Sequence, residues 1–346
     1  GLKVSVVGFG CGDVGGLMVR GEPGDRTRAV ARAIELGINY FDTAPTYGNG
    51  QSEQNLGRLL NELSPSLSAN VYVGTKVRLD TNKMEDSKVS VIKSVEDSLI
   101  RLNRPSVDLI QLHNPVTTHR DSVGGSISAE DVLGQVLEGF RDLQTQGKVR
   151  FYGITGFGET EALLRVVDSG SVFSVQSCYN LLNPSSGIPV IADFDLQDFG
   201  GLIRRAEARE TGIIVIRVLA AGALTGVEQR HPVAIPHVAP LGSTDSYSED
   251  LIRARALSFL VDEGHVESLV EAAVRFPLGN SGVSTVLVGY SSMEHLEQVV
   301  GWMDRGPLSS EAIDRLSDIW AAGDRIGLKA SCLVMNRLNR TSQTDP

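Results

Sequence analysis

The sequence predicts an α/β fold, a single (β/α)8 TIM barrel. Eight short strand-like runs stand out, most of them near-continuous Val, Ile and Leu, the pattern of parallel strands covered on both faces. Amphipathic helical patterns separate them. With strand ends at 8, 42, 76, 113, 155, 179, 219 and 289, the steps are 34, 34, 37, 42, 24, 40 and 70 residues. A roughly constant β-plus-α interval repeated eight times closes a barrel, which takes about 250 residues before insertions. The 346 residues leave room for those.

The first strand is Val4–Gly8. Gly10-Cys-Gly12-Asp-Val-Gly15 follows and fits G-x-G-x-x-G, the turn of a Rossmann dinucleotide site. That motif works only where its third glycine opens a helix whose N-terminus holds a pyrophosphate. Here Gly16 to Gly24 contains three glycines and a proline, so the next helix starts no earlier than about Asp25. Glu35, inside that helix, stands where a ribose-binding acid would be. The segment therefore reads as a flexible first loop.

Helix Asp25–Leu36 carries Val30, Ala33 and Ile34 on one face and leads into strand Ile38–Asp42. Strand Val71–Lys76 precedes helix Ser87–Leu102, which places Val91, Val95 and Leu99 at four-residue steps. After strand Val107–His113, Ser128 opens Ser-Ala-Glu-Asp, a capping box ahead of Val132, Val136 and Leu137. Gly147 reads as the stop of that helix. Strands Val149–Thr155, Val172–Tyr179, Ile213–Leu219 and Ser284–Gly289 complete the set. The longest step holds Thr225–Asp250, rich in Pro and without periodicity, which reads as an extended loop over the barrel mouth. No linker divides residues 1–346, and the tail after about 323 is expected to fray at its end.

Composition narrows the function. Lys+Arg is 32 and Asp+Glu 42, a formal charge of 32 − 42 = −10, with no basic run, which argues against a nucleic-acid partner. No apolar stretch approaches the roughly 18 residues of a membrane span. Cys11, Cys178 and Cys332 are scattered, which fits a reducing, cytoplasmic setting and neither a disulfide frame nor a zinc site. The six histidines lack metal-ligand spacing, and His231 and His237 read as surface loop residues, so no metal is expected. The partner this leaves is a small-molecule substrate; the oligomeric state stays open.

Four polar residues recur at or just beyond strand ends: Asp42, Tyr47, Lys76 and His113. In a parallel barrel all those ends open on one face, where active sites of this fold are built. Singly, each has a bland reading as an ion pair, a core group or turn packing. Together, acid, phenol, amine and imidazole suit proton transfer by the phenol. A nearby ammonium is expected to lower the tyrosine pKa, Asp42 to hold that ammonium, and His113 to orient a substrate oxygen.

These residues carry a resemblance to the aldo-keto reductases. Gly37-Ile-Asn-Tyr-Phe-Asp42-Thr-Ala-Pro-Thr-Tyr47-Gly-Asn-Gly-Gln-Ser-Glu53-Gln-Asn-Leu-Gly57 is similar to that family's first signature, and Val73-Gly-Thr-Lys76 and Asp108-Leu-Ile-Gln-Leu-His113 to its lysine and histidine motifs. The resemblance implies a barrel that binds an extended nicotinamide cofactor without a Rossmann unit. It also implies a tetrad in which Tyr47 is general acid/base, Lys76 its pKa modulator, Asp42 the orienting acid and His113 the substrate-positioning group.

By the same resemblance, Thr155 and Gln176 face the cofactor carboxamide, with Gly156 in place of the family's amide side chain. Ile216 or Arg217 takes the ring-stacking position. Gly289, Ser291, Ser292 and Gln298 belong to the loop and helix start that meet the adenosine phosphates. Gly289 and His295 stand where users of NADP often carry Lys or Arg, so NAD is favoured over NADP. These departures resemble the branch that oxidises galactose, arabinose or fucose at carbon one. The expected reaction is NAD(P)-dependent oxidation of a sugar-like cyclic hemiacetal to a lactone. The runners-up are an NADPH-dependent aldehyde or ketone reductase and a cofactor-binding, redox-sensing partner subunit.

Overall fold

The apolar runs emerge, in a computed structural model describing residues 1–322, as eight parallel strands. They are β1 Val7–Gly10, β2 Tyr40–Asp42, β3 Tyr72–Val77, β4 Val107–Leu112, β5 Val149–Thr155, β6 Ser174–Cys178, β7 Gly212–Ile216 and β8 Val283–Gly289. Neighbours in sequence are neighbours in the ring, which closes where β1 pairs β8 from Val7↔Val286 to Gly10↔Gly289. Side chains such as Phe9, Phe41, Val73, Ile110 and Val215 are fully buried.

β5 falls where the sequence placed it; β1 does not. Val6 is 60% exposed, and the chain joins the sheet only at Val7. β6 and β7 stop short of Tyr179 and Leu219 because apolar residues stay buried after leaving the ladder. Arg217 turns the backbone to φ 55, yet Val218 beyond it is buried. Burial, not pairing, set the apolar pattern there.

Helices α1 Pro23–Glu35, α2 Gln51–Glu62, α3 Ser87–Leu102, α4 Leu137–Thr145 and α5 Thr160–Asp168 follow the first five strands, and α6 Leu202–Glu207, α7 Leu269–Arg275 and α8 Met293–Met303 the last three. α1 begins two residues before the expected Asp25, with Pro23 at its first position, where a missing N–H costs nothing. A one-turn helix, Leu17–Arg20, precedes it, so the expectation of no helix before Asp25 is corrected. The Ser128 capping box forms: Asp131 N donates to Ser128 Oγ at 3.1 Å and Ser128 N to Asp131 Oδ2 at 3.0 Å. Gly147, at φ 72, follows α4.

Gly57 lies inside α2 where it crosses the end of α3, and a methyl there would collide with the Leu102 backbone. Gly57→Ala is therefore expected to destabilise by about 1–3 kcal/mol through overpacking. A lowered melting temperature with unchanged ligand affinity checks this.

The expected 225–250 loop is shorter and better held than its sequence suggests. A 3₁₀ segment ends at Thr225, and a helix opens at Tyr247, capped by Ser246 Oγ accepting from Glu249 N at 3.2 Å. Between them Arg230 Nε donates to Ile235 O and Arg230 Nη1 to Ala221 O, both at 2.7 Å. The tail after 323 and Cys332 lie outside the described residues. Among those described, no helix is long and apolar enough to cross a membrane.

Candidate active site

The C-terminal strand ends open onto a cavity of about 690 Å³, within the range of about 300–1,000 Å³ of small-molecule sites. Of the expected residues, Asp42, Tyr47, His113, Gln176, Ile216, Arg217, Gly289 and Ser291 line it. Lys76 and Thr155 lie behind the lining. Ser292 and Gln298 do not reach it: Ser292 caps α8 by accepting from His295 N at 3.4 Å, and Gln298 sits on the exposed side of that helix.

Asp42, the last residue of β2, is 1% exposed and fully engaged. Oδ1 accepts from Lys76 Nζ, and Oδ2 accepts from Tyr40 Oη at 3.0 Å and Gln176 Nε2 at 2.9 Å. Lys76, 1% exposed on β3, also donates to Thr43 O at 2.8 Å. Burial alone pulls the Lys76 pKa down, but Asp42 and the phenol outweigh it and raise it, so the side chain stays an ammonium. A lysine so deep is held by its partner.

Tyr47, on the loop after β2, places its ring centroid 4.9 Å from Lys76 Nζ. The pKa of the phenol is raised, contrary to the expected lowering. Burial dominates, while Lys76 and a hydrogen bond from it pull in the expected direction without overcoming it. At neutral pH the phenol therefore holds its proton, and Lys76 limits how far burial raises it.

His113 stands edge-on to Tyr47, ring centroids 6.0 Å apart, and its Nδ1 is buried without a partner in the protein. Burial, aided by the positive charges of Lys76 and Arg78, pushes its pKa from 6.5 down to about 3. The imidazole is thus neutral at physiological pH. Between pH 3 and 6.5 the unfolded chain binds a proton here that the folded chain refuses. Stability should fall as pH drops through that window, with a slope of up to about one proton. His113→Asn should flatten the acid limb of a melting-temperature profile; an unchanged limb would assign it to other groups.

Two residues assigned to a carboxamide are already engaged. Thr155 Oγ1 donates to Leu112 O at 2.8 Å, and the Gln176 amide nitrogen donates to Asp42, leaving its carbonyl oxygen for a ligand. The first loop departs from the bland reading: Gly10, Gly12, Asp13, Val14 and Gly15 all line the cavity. A Cβ on Gly15 would strike the Gly289–Tyr290 backbone, so the glycine lets the two loops meet there, where Ser291 Oγ donates to Gly15 O at 2.7 Å. It is still no Rossmann turn, because the sheet is a closed barrel.

Among the lining residues that sequence reading did not assign to the site, three are aromatic or imidazole groups. Phe157 stands 6.5 Å from His113, centroid to centroid, in the glycine-flanked turn after β5. His231 is exposed on its loop, as expected, and also lines the cavity, meeting His295 edge-on at 5.6 Å. Tyr247 comes from the helix after the long loop. An aromatic two residues past a strand end was a usable signal for Phe157; nothing local marked the other two. Among the described residues, no group of three or more His, Cys, Asp or Glu could hold a metal ion.

Comparison with known proteins bears on the family and the fold. A sequence model described as the Aldo/keto reductase family matches residues 6–321. L-galactose dehydrogenase of Arabidopsis thaliana is 31% identical over 87% of this chain and 84% of its own length. D-threo-aldose 1-dehydrogenase of a Pseudomonas species is 26% identical over 86% and 89%. The holo form of an aldo-keto reductase from Bacillus halodurans superposes with a TM-score of 0.66 at 24% identity, over 92% of each chain, and so shares the fold.

Proposed function

The chain belongs to the aldo/keto reductase family of oxidoreductases, and from that premise we propose that it oxidises a sugar-like cyclic hemiacetal to a lactone with NAD as preferred cofactor. The observation that carries the reading is the meeting of Asp42, Lys76, Tyr47 and His113 at one end of the barrel. A bound nicotinamide supplies the hydride acceptor; the protein supplies the proton path and the alignment.

The chain fits such a cofactor in specific ways. Gly10, Gly12 and Gly15 line one wall without side chains, and the unpartnered His113 Nδ1 marks a polar end. In the proposed reaction His113, neutral, fixes the substrate oxygen by hydrogen bonding. Tyr47 takes the hydroxyl proton as the hydride leaves carbon. Lys76 stabilises the phenolate this requires, and Asp42 keeps Lys76 charged and aimed. The reverse direction uses the protonated phenol as acid.

The preference for NAD rests on what faces the start of α8. Gly289 and His295 line that part of the cavity, and burial followed by the neighbouring His231 pushes the His295 pKa down. A neutral imidazole offers little to a dianionic phosphate. Arg230 also lines the cavity, but its guanidinium is engaged by Ile235 O, Ala221 O and Val14 O.

The sugar reading is supported by relatives named for galactose and aldose oxidation. We also place the protein in the cytoplasm, in keeping with free, buried Cys11 and Cys178. A panel of aldoses and simple aldehydes, each with NAD and NADP, tests the proposal by the absorbance of reduced nicotinamide. Aldose oxidation with NAD is expected; turnover of aldehydes alone, with NADPH, would replace it by the reductase reading.

A further inference from the structure

Tyr47 sits on the loop after β2, and a carboxylate from the loop after β1 holds that loop. Asp13 Oδ2 accepts the Gly48 backbone N–H at 3.1 Å, one residue past Tyr47. Gly48 lies at φ 57, and a methyl on Gly12 would touch the Tyr47 ring at 3.4 Å, so the two loops are in close contact. The other oxygen, Asp13 Oδ1, accepts from Arg20 Nη1 at 3.1 Å, and Arg20 Nη2 donates to the Asp13 carbonyl. Arg20 Nε in turn donates to Val233 O at 2.8 Å, on the 226–246 segment whose residues line the mouth. An unbroken series of contacts thus runs from that segment through Arg20 and Asp13 to the residue beside the phenol.

Taking Tyr47 as the proton-transfer group, we propose that Asp13 is its positioning residue. Arg20 makes that hold depend on the 226–246 segment lying across the mouth, so that covering the cofactor site also sets the phenol. Arg20 and Asp13 are 34% and 27% exposed, and ion pairs at such sites contribute little stability. Their arrangement does fix the carboxylate rotamer, and with it the acceptor for Gly48. Proton transfer needs heavy atoms within about 2.6–3.2 Å, so a small drift of the loop is costly in rate.

The test compares Asp13→Ala, Asp13→Asn, Arg20→Met, Tyr47→Phe and the Asp13→Ala/Tyr47→Phe pair in the full chain, measuring kcat, KM, NADH affinity by fluorescence and melting temperature. Asp13→Ala should lower kcat by about tenfold to a hundredfold, the scale of an ångström-level misplacement. NADH affinity should stay within about threefold, which separates positioning from binding. Asp13→Asn keeps an acceptor for Gly48 and should recover most of the rate, with Arg20→Met intermediate. The double variant should be no slower than Tyr47→Phe alone, because Asp13 acts through the phenol.

An Asp13→Ala kcat within about twofold of the parent, or full additivity in the double variant, overturns the proposal. Should Asp13→Ala not fold, Arg20→Met decides: lowered kcat at unchanged melting temperature supports it, and unchanged kcat overturns it. A silent Tyr47→Phe overturns the underlying assignment as well. An inactive Tyr47→Phe beside a silent Asp13→Ala overturns the coupling alone.

Discussion

Tyr47→Phe is expected to lower turnover by about 10²–10⁴ while leaving cofactor affinity unchanged, the range that general acid–base catalysis contributes. Phe keeps the ring that packs against Gly12 and stands edge-on to His113, so the loop retains its contacts. Only the hydroxyl, and with it the proton, is removed. Tyr47 could instead merely pack in a Pro/Gly turn, and then Phe would be nearly silent. A rate within about threefold of the parent would establish that bland role and remove the phenol from the mechanism. The pH profile carries a second signature. Because burial raises the Tyr47 pKa, oxidation, which needs the phenolate, should accelerate as pH rises through the neutral and alkaline range. Reduction, which needs the protonated phenol, should hold its rate through neutrality and lose it only at strongly alkaline pH. His113, titrating at about 3, contributes no limb near neutrality.

Lys76→Met should have a large effect on both stability and rate. It leaves Asp42 buried with only Tyr40 and Gln176 as donors. Breaking a buried ion pair from one side costs about 3–5 kcal/mol, because a desolvated charge remains. The phenol also loses the cation that restrains its pKa, so the pH of half-maximal oxidation should move upward. Loss of fold and loss of chemistry are separable. The double variant Asp42→Asn/Lys76→Met removes both charges, so its melting temperature should recover relative to Lys76→Met, while turnover stays low. Recovery of turnover along with stability would mean that the pair is scaffolding only.

The barrel was legible because its strands are covered on both faces, which leaves runs such as Gly212–Ile216 apolar throughout. The meeting of Asp42, Lys76 and His113 at one end of the barrel was legible for a related reason: an acid, a lysine and a histidine at apolar strand ends break that pattern conspicuously. What was not legible depends on long-range approach. The raised Tyr47 pKa results from burial by several loops at once, which one-dimensional spacing does not report. Asp13 looks like a turn residue until Gly48 and Arg20 are placed beside it. His231 faces His295 only because the loop after β7 crosses the mouth, and 64 positions separate the two, 295 − 231. Gln176 was placed correctly on β6, but its donation to Asp42 could not be inferred from position.

The most direct measurement follows the hydrogen itself. Aldoses carrying deuterium at the anomeric carbon, incubated with NAD and the protein, should deliver that deuterium to the nicotinamide ring of the reduced cofactor. A primary isotope effect on single-turnover rate should accompany the transfer, and the transfer should slow by about 10²–10⁴ in Tyr47→Phe. Reduced cofactor free of deuterium, or label released into water, would contradict direct hydride transfer from a sugar hemiacetal at this site.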